Sequence, residues 1–126
     1  MANHDLGSKS PRDLWPEEAR WTIDWVVPSN DSKPNPNEVF PDAHTHGLRE
    51  LGHKELQIRR LSLEASSFIL NLVAAWVASG GEIADGDTFS FKTTTGSFAM
   101  KVKEEEYTGH AEKEIILRLS WDKDPA

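Results

Sequence analysis

The apolar residues of this chain follow two different periods, and each period predicts one kind of element. Between Ser62 and Ser79 they recur at intervals of three and four, which predicts one amphipathic helix over residues 62–79. Ser62 is a suitable N-cap, because its hydroxyl can accept a hydrogen bond from a backbone N–H of the first turn. Gly80 and Gly81 predict the end of the helix, since glycine enters the left-handed region without steric cost.

Elsewhere the apolar residues alternate with polar ones, which is typical of a strand with one buried face. In the first such segment Ile23 and Trp25 alternate with Asp24, so the first two are expected to point inward. Two later segments flank the short turn at 94–96 and are expected to form a hairpin. The extended segments predicted in this way are 21–27, 41–47, 56–58, 88–93, 97–102 and 115–121.

Strands and helix are segregated along the chain, which predicts an α+β fold. We expect a mainly antiparallel sheet of about five or six strands, packed on the one long helix at 62–79. A chain of 126 residues has room for one hydrophobic core, so residues 17–126 are predicted to form a single α+β domain. Residues 1–16 are polar and without period, and are predicted to be an extended N-terminal lead-in. The turn-forming residues 28–37 predict an exposed loop.

Composition narrows the classes of partner. The net charge of −7 opposes binding to phosphate backbones, so we expect no nucleic-acid partner. The chain has no cysteine, which excludes disulfides and thiolate zinc sites. No apolar run is long enough to cross a membrane and the N-terminus lacks the pattern of a signal peptide, so we expect a cytoplasmic protein with no membrane partner.

Two neighbouring segments carry a family resemblance. Residues 45–48 read Thr-His-Gly-Leu and residues 52–58 read Gly-His-Lys-Glu-Leu-Gln-Ile. In this order and spacing they resemble the bacterial domain-of-unknown-function 4262 family, and the similarity covers roughly residues 21–89. The sequence differs from the family pattern at His44, where an aromatic residue is usual, and at Lys54, where proline is usual. The resemblance implies a cytoplasmic bacterial domain, and the family has no assigned activity to carry over to this chain.

Three of the five histidines fall within ten residues, and two acidic residues flank them. In a strand His44 and His46 point to the same side and can place two imidazoles on one metal ion. His53 follows across a turn and would be the third zinc ligand, with Asp42 or Glu55 as a further ligand or general base.

The alternative is that Asp42, Thr45 and the histidines bond to backbone groups of the strand end and the turn. In that case His53 would be hydrogen-bonded to a carbonyl, and the charges of Lys54 and Glu55 would be exposed to solvent.

Three functions follow from these observations. The first is a non-enzymatic binding or interaction module for an unknown small molecule or protein, because no complete catalytic set is readable. The second is a small metal-dependent hydrolase with zinc on His44, His46 and His53. The third is an acidic decoy that imitates the charge of nucleic-acid phosphates. The sequence leaves open whether the protein is an enzyme and which oligomeric state it adopts. No cofactor is predicted from the sequence, and zinc is the one that the histidine pattern would allow.

Overall fold

A computed structural model describes residues 2–18, 20–26, 42–59, 62–94, 96–107 and 114–120. The loop predicted at 28–37 lies outside the described residues. Neither of the described α-helices has the length and apolar character that crossing a membrane requires. The elements in chain order are β1 (Asn3–Asp5), α1 (Pro11–Leu14), β2 (Thr22–Val26), β3 (Asp42–His46), a short 3-10 helix (Leu48–Leu51), β4 (Leu56–Ile58), α2 (Leu63–Ala78), β5 (Thr88–Thr93), β6 (Gly96–Tyr107) and β7 (Glu114–Ser120).

The strands form one mixed sheet of seven strands in the order β1-β5-β6-β7-β4-β3-β2. The α+β class is therefore confirmed, whereas the expectation of a mainly antiparallel sheet with five or six strands is wrong. Strand β4 pairs parallel with β7, and β1 pairs parallel with β5. Strands β4 and β7 are parallel because α2 carries the chain across the sheet between β4 and β5, so that β5 runs in the same direction as β4. After the antiparallel turns into β6 and β7, β7 runs in that direction as well.

Helix α2 spans Leu63–Ala78 and is the only long helix among the described residues, which confirms the helix predicted at 62–79. Its first turn is capped by Ser62, whose hydroxyl accepts a hydrogen bond from the Ala65 backbone N–H at 3.2 Å. At the other end the N–H of Gly81 donates to the carbonyl of Trp76 at 3.0 Å, which closes the last turn. The predicted caps therefore hold the helix at both ends.

The N-terminal residues, predicted as an extended lead-in at 1–16, add two elements to the fold. Strand β1 extends the sheet at the edge of β5, and α1 packs beside α2. Leu6 is buried in the common core. Asp87 connects this segment to β5, because its carboxylate accepts a hydrogen bond from the Ala2 N–H at 2.9 Å and lies 3.0 Å from Nε2 of His4. A strand of three residues is too short to show an alternating pattern, and for this reason the sequence does not predict it.

The pairing register gives the sheet two different faces. On one face, Leu56 and Ile58 of β4 join the residues of α2 in a single hydrophobic core. On the opposite face, polar residues stand beside one another on five adjacent strands. We call this set the polar row: Asp24, His44, Gln57, Arg118 and Lys103, each aligned with the next in the register. The two histidines predicted to be functional therefore lie on the polar face.

Candidate metal centre

Two neighbouring strands bring the candidate ligands together. β2 and β3 are antiparallel, with Asp24 opposite His44 and Thr22 opposite His46. Because successive side chains of a strand point to opposite faces, Asp24, His44 and His46 share one face. His44 is buried, while the side chains of His46 and Asp24 are 38 % and 55 % exposed. The group thus has one buried member and two that reach solvent.

The ligand atoms of these three side chains converge. Nε2 of His44 lies 3.1 Å from Nε2 of His46. Nε2 of His46 in turn lies 2.7 Å from Oδ2 of Asp24. All three ligand atoms lie within 4.8 Å of one another. Zinc–nitrogen bonds of about 2.0–2.1 Å place neighbouring ligand atoms roughly 3.0–3.4 Å apart, depending on the coordination angle. The distance between the two imidazole nitrogens therefore fits two ligands of one ion, and the exposed Asp24 needs only a small side-chain movement to join them.

A hydrogen bond accounts fully for one of the two contacts of His46 Nε2, whereas a bound cation would account for both. Nε2 of His46 carries at most one hydrogen, which it can donate fully to Asp24 or to His44 but only in part to both. If that hydrogen is absent, a ring lone pair faces the Asp24 carboxylate across 2.7 Å. A bound cation accepts lone pairs from all three atoms at once. The convergence is therefore of the kind that metal sites display.

His53, predicted as the third zinc ligand, lies outside this group. Its Nδ1 is 2.7 Å from the carbonyl oxygen of Lys54, and its Nε2 is 3.1 Å from the carbonyl oxygen of Ile83. Both ring nitrogens thus contact backbone carbonyls and connect the turn before β4 to the segment after α2. The structure places Asp24, and not His53, beside the two histidines of β3.

Glu55, predicted as a ligand or general base, is buried on the other side of β3. Its Oε1 accepts from the Thr45 hydroxyl at 2.9 Å and from the Leu48 N–H at 3.1 Å. Its Oε2 accepts from the N–H groups of Gly47 at 3.0 Å and Arg49 at 3.2 Å. These donors open the 3-10 helix, where backbone N–H groups have no partner within the helix itself. Glu55 therefore bonds to turn backbone from a buried position, whereas the alternative interpretation expected its charge to be exposed to solvent.

The same turn accounts for the threonine and the glycine of segment 45–48. The Thr45 hydroxyl also accepts from the Leu56 N–H at 2.9 Å, so it links β3 to β4. Gly47 has a φ of 122°, and a Cβ there would lie 2.7 Å from the carbonyl oxygen of Arg20. No other residue fits this position without moving backbone. The residues that carry the family resemblance thus have a structural use in this chain.

Asp24 is the one member of this group that does not stand out in the sequence as a site residue. The signal for Asp24 was its polar, outward position in the first predicted strand, but pairing with β3 was needed to place it beside His44. Arg118 lies in the polar row next to Gln57, and its Nη1 is 3.3 Å from Oε1 of Glu105. Asp42 belongs to β3 through its backbone, and its side chain lies outside what the structure describes.

Comparisons of the chain with protein-family models, with curated proteins and with solved structures found no match.

Proposed function

We propose that this protein is a metal-binding module that holds one divalent transition-metal ion with Asp24, His44 and His46. The observation that supports the proposal is the approach of three ligand atoms from two paired strands, with 3.1 Å between the two imidazole nitrogens. The ligand of the predicted binding module is then a metal ion. Compared with the ligands expected from the sequence, Asp24 takes the place of His53.

The donor set limits which ions are suitable. Two imidazole nitrogens and one carboxylate oxygen suit zinc, iron(II) and neighbouring first-row ions better than calcium or magnesium, which prefer oxygen ligands alone. Zinc is a practical probe, because it is redox-inactive and accepts all three donors. Three protein ligands leave at least one coordination position for water or another ligand.

Calorimetric titration with zinc tests the proposal. We expect one site per chain in the wild type, and the His44→Ala, His46→Ala and Asp24→Ala variants each to lose more affinity than the roughly 10- to 100-fold typical of outer-shell changes. The matched control is His53→Ala, which removes a nearby imidazole outside the group and should leave the affinity within about threefold, the usual scatter of context effects.

Two results would contradict the proposal. One is the absence of zinc binding by the wild type. The other is retained binding in Asp24→Ala together with its loss in His53→Ala, which would favour the ligand set expected from the sequence.

The small hydrolase stays a second prediction, with less support than the binding module. A metal-bound water would be its nucleophile, but such an enzyme also needs a group to accept the proton. Glu55 accepts four hydrogen bonds from Thr45 and the turn backbone, so it is not available as that base. The acidic decoy, the family resemblance and the cytoplasmic location also stay predictions.

A further inference from the structure

We infer that the bound metal ion keeps strand β2 closed on β3, and that β2 opens locally when the ion is absent. The inference rests on the proposed metal site and names what that site regulates, which is access to one edge of the sheet. It is carried by a comparison of the two strands at the edges of the described sheet.

β1 and β2 are the terminal strands of this sheet, so that β1 pairs with β5 and β2 pairs with β3. An edge strand lacks the second row of backbone hydrogen bonds that a central strand makes, and it opens more readily for this reason. At each edge a carboxylate also meets a histidine. Asp87 contacts His4 of β1, and Asp24 of β2 contacts His46 of β3. The surroundings of these two contacts differ.

At the β1 edge the carboxylate is largely buried and makes several hydrogen bonds. The side chains of His4 and Asp87 are 19 % and 10 % exposed, and Nε2 of His4 lies 3.0 Å from Oδ2 of Asp87. The same carboxylate accepts hydrogen bonds from the N–H groups of Ala2 at 2.9 Å and Ala84 at 3.0 Å. Polar contacts that are shielded from water are stronger than exposed ones. These contacts therefore hold β1 on the sheet without an ion.

At the β2 edge the corresponding contact faces solvent. More than half of the Asp24 side chain is exposed, and its Oδ2 lies 2.7 Å from Nε2 of His46. An ion pair in such a position contributes little to stability, because water and salt screen it. A metal ion changes this, since it binds Asp24 on β2 together with His44 and His46 on β3. The ion is then a cross-link between the two strands, and β2 opens only if the bond between Asp24 and the metal breaks.

The opening is confined to β2, because the residue before this strand is held separately. Trp21 is buried, its Nε1 donates to Oδ1 of Asn71 at 2.9 Å, and its ring stacks on that of Trp15 with 3.8 Å between the centroids. Within β2, by contrast, Ile23 is only half-buried. Opening therefore exposes the backbone edge of β3 and part of Ile23, while Trp21 stays in place. Metal loading thus decides whether the edge of β3 is covered.

The expected size of the effect follows from the zinc affinity. The closed protein offers three ligands, and the opened protein offers His44 and His46. By linkage, saturating zinc lowers the equilibrium constant for opening by the ratio of these two affinities. Asp24→Ala removes the same ligand, so its loss of zinc affinity measures this ratio. We expect zinc to slow amide hydrogen exchange in β2 at least about tenfold, and by the same factor as that loss within about threefold.

The experiment measures amide hydrogen exchange of the full chain, with saturating zinc and with a chelator in place of zinc. Zinc affinity is measured first, and its absence would overturn the proposed metal site. Zinc should slow exchange in β2. Strand β1 is the internal control, because it opens at the other edge and contributes no residue to the ligand group. Exchange in β1 should be the same with and without zinc.

Three variants make the result specific. Asp24→Ala should remove the effect of zinc on β2 even where zinc is concentrated enough to saturate the two histidines. His53→Ala is the matched control, which removes an imidazole outside the ligand group and should keep the full effect. Asp87→Asn should speed exchange in β1 and leave the effect of zinc on β2 unchanged, because the two edges open independently.

The inference is overturned if zinc binds but does not slow exchange in β2. It is also overturned if zinc slows β1 and β2 equally, since the ion would then stabilise the whole fold and not one edge. Retention of the full zinc effect on β2 in Asp24→Ala would overturn it as well, because the cross-link would then not pass through this carboxylate. Zinc affinity is measured separately from exchange, so the metal site and its control of β2 fail in different measurements.

Discussion

The two faces of strand β3 use polar side chains in opposite ways. On the face toward the core, Thr45 is fully buried and donates to Glu55, whose carboxylate also accepts three backbone N–H groups. On the polar face, His44 and His46 approach each other and the partly exposed Asp24. Residues one position apart in the chain thus support the fold on one face and present ligand atoms on the other. The use of a carboxylate is decided by what its oxygens contact, and proximity to histidine in the sequence does not show it.

The largest expected effect is on the core face. Glu55→Ala leaves a hydroxyl and three backbone N–H groups without their acceptor, and the Thr45 hydroxyl and the Leu48 N–H among them are buried. We expect a loss of about 3–5 kcal/mol in the free energy of unfolding, measured by chemical denaturation. Glu50→Ala, an exposed change in the same 3-10 helix, should change it by less than about 0.5 kcal/mol. A loss below 1 kcal/mol for Glu55→Ala would contradict the structural role.

A smaller effect is expected for Thr45→Val, which keeps the shape of the side chain but removes the hydroxyl between Glu55 and the Leu56 N–H. The variant should lose about 1–3 kcal/mol of stability, because two buried polar groups lose a partner. Its zinc affinity should stay within about threefold of the wild type, since Thr45 points away from the metal ligands. A tenfold loss of zinc affinity would show that the two faces of β3 are coupled.

Asp87 is a second carboxylate that binds backbone, and it makes the stability depend on pH. The contact with His4 and then the N–H of Ala2 lower its pKa from 3.8 to about 2, with a smaller contribution from the Ala84 N–H and against the opposing effect of burial. Because the pKa is depressed in the folded state, this stabilisation is present above pH 3.8 and is lost as the pH falls toward 2. Asp87→Asn should cost about 1–2 kcal/mol at pH 7 and flatten the acid-induced loss between these two values. An unchanged acid profile would contradict this role for the carboxylate.

The smallest effect on the apo protein is expected on the polar face. Asp24→Ala removes a partner of His46 that is more than half exposed, and exposed ion pairs contribute about 0–1 kcal/mol. Added zinc should enlarge the effect of Asp24→Ala, because a ligand at 100 times its dissociation constant stabilises the folded wild type by about 2.7 kcal/mol and should not stabilise this variant. In thermal unfolding, zinc should therefore raise the midpoint temperature of the wild type and of Thr45→Val and leave that of Asp24→Ala unchanged. An equal rise in Asp24→Ala would exclude that carboxylate as a ligand.

The sequence determined the elements whose signals are local. Helix α2 follows from a stripe that repeats every turn and from Ser62, whose capping bond spans three residues. The hairpin of β5 and β6 follows from two alternating segments around a short turn. The shared face of His44 and His46 follows from the two-residue period of any strand. In each case the interacting groups are close in the chain, so their pattern is visible in the sequence.

Only the tertiary structure decided which distant residues meet. The parallel pairs β1–β5 and β4–β7 join segments that are far apart in the chain, and hydrophobic alternation carries no information on strand direction. The site depended on the same kind of pairing. Asp24 lies beside His44 only because β2 pairs with β3. His53 instead contacts the carbonyl oxygen of Ile83, which follows α2. Strand pairing and buried hydrogen bonds are long-range contacts. Residue types and their spacing therefore suggested a metal site, and the register of the sheet decided which residues form it.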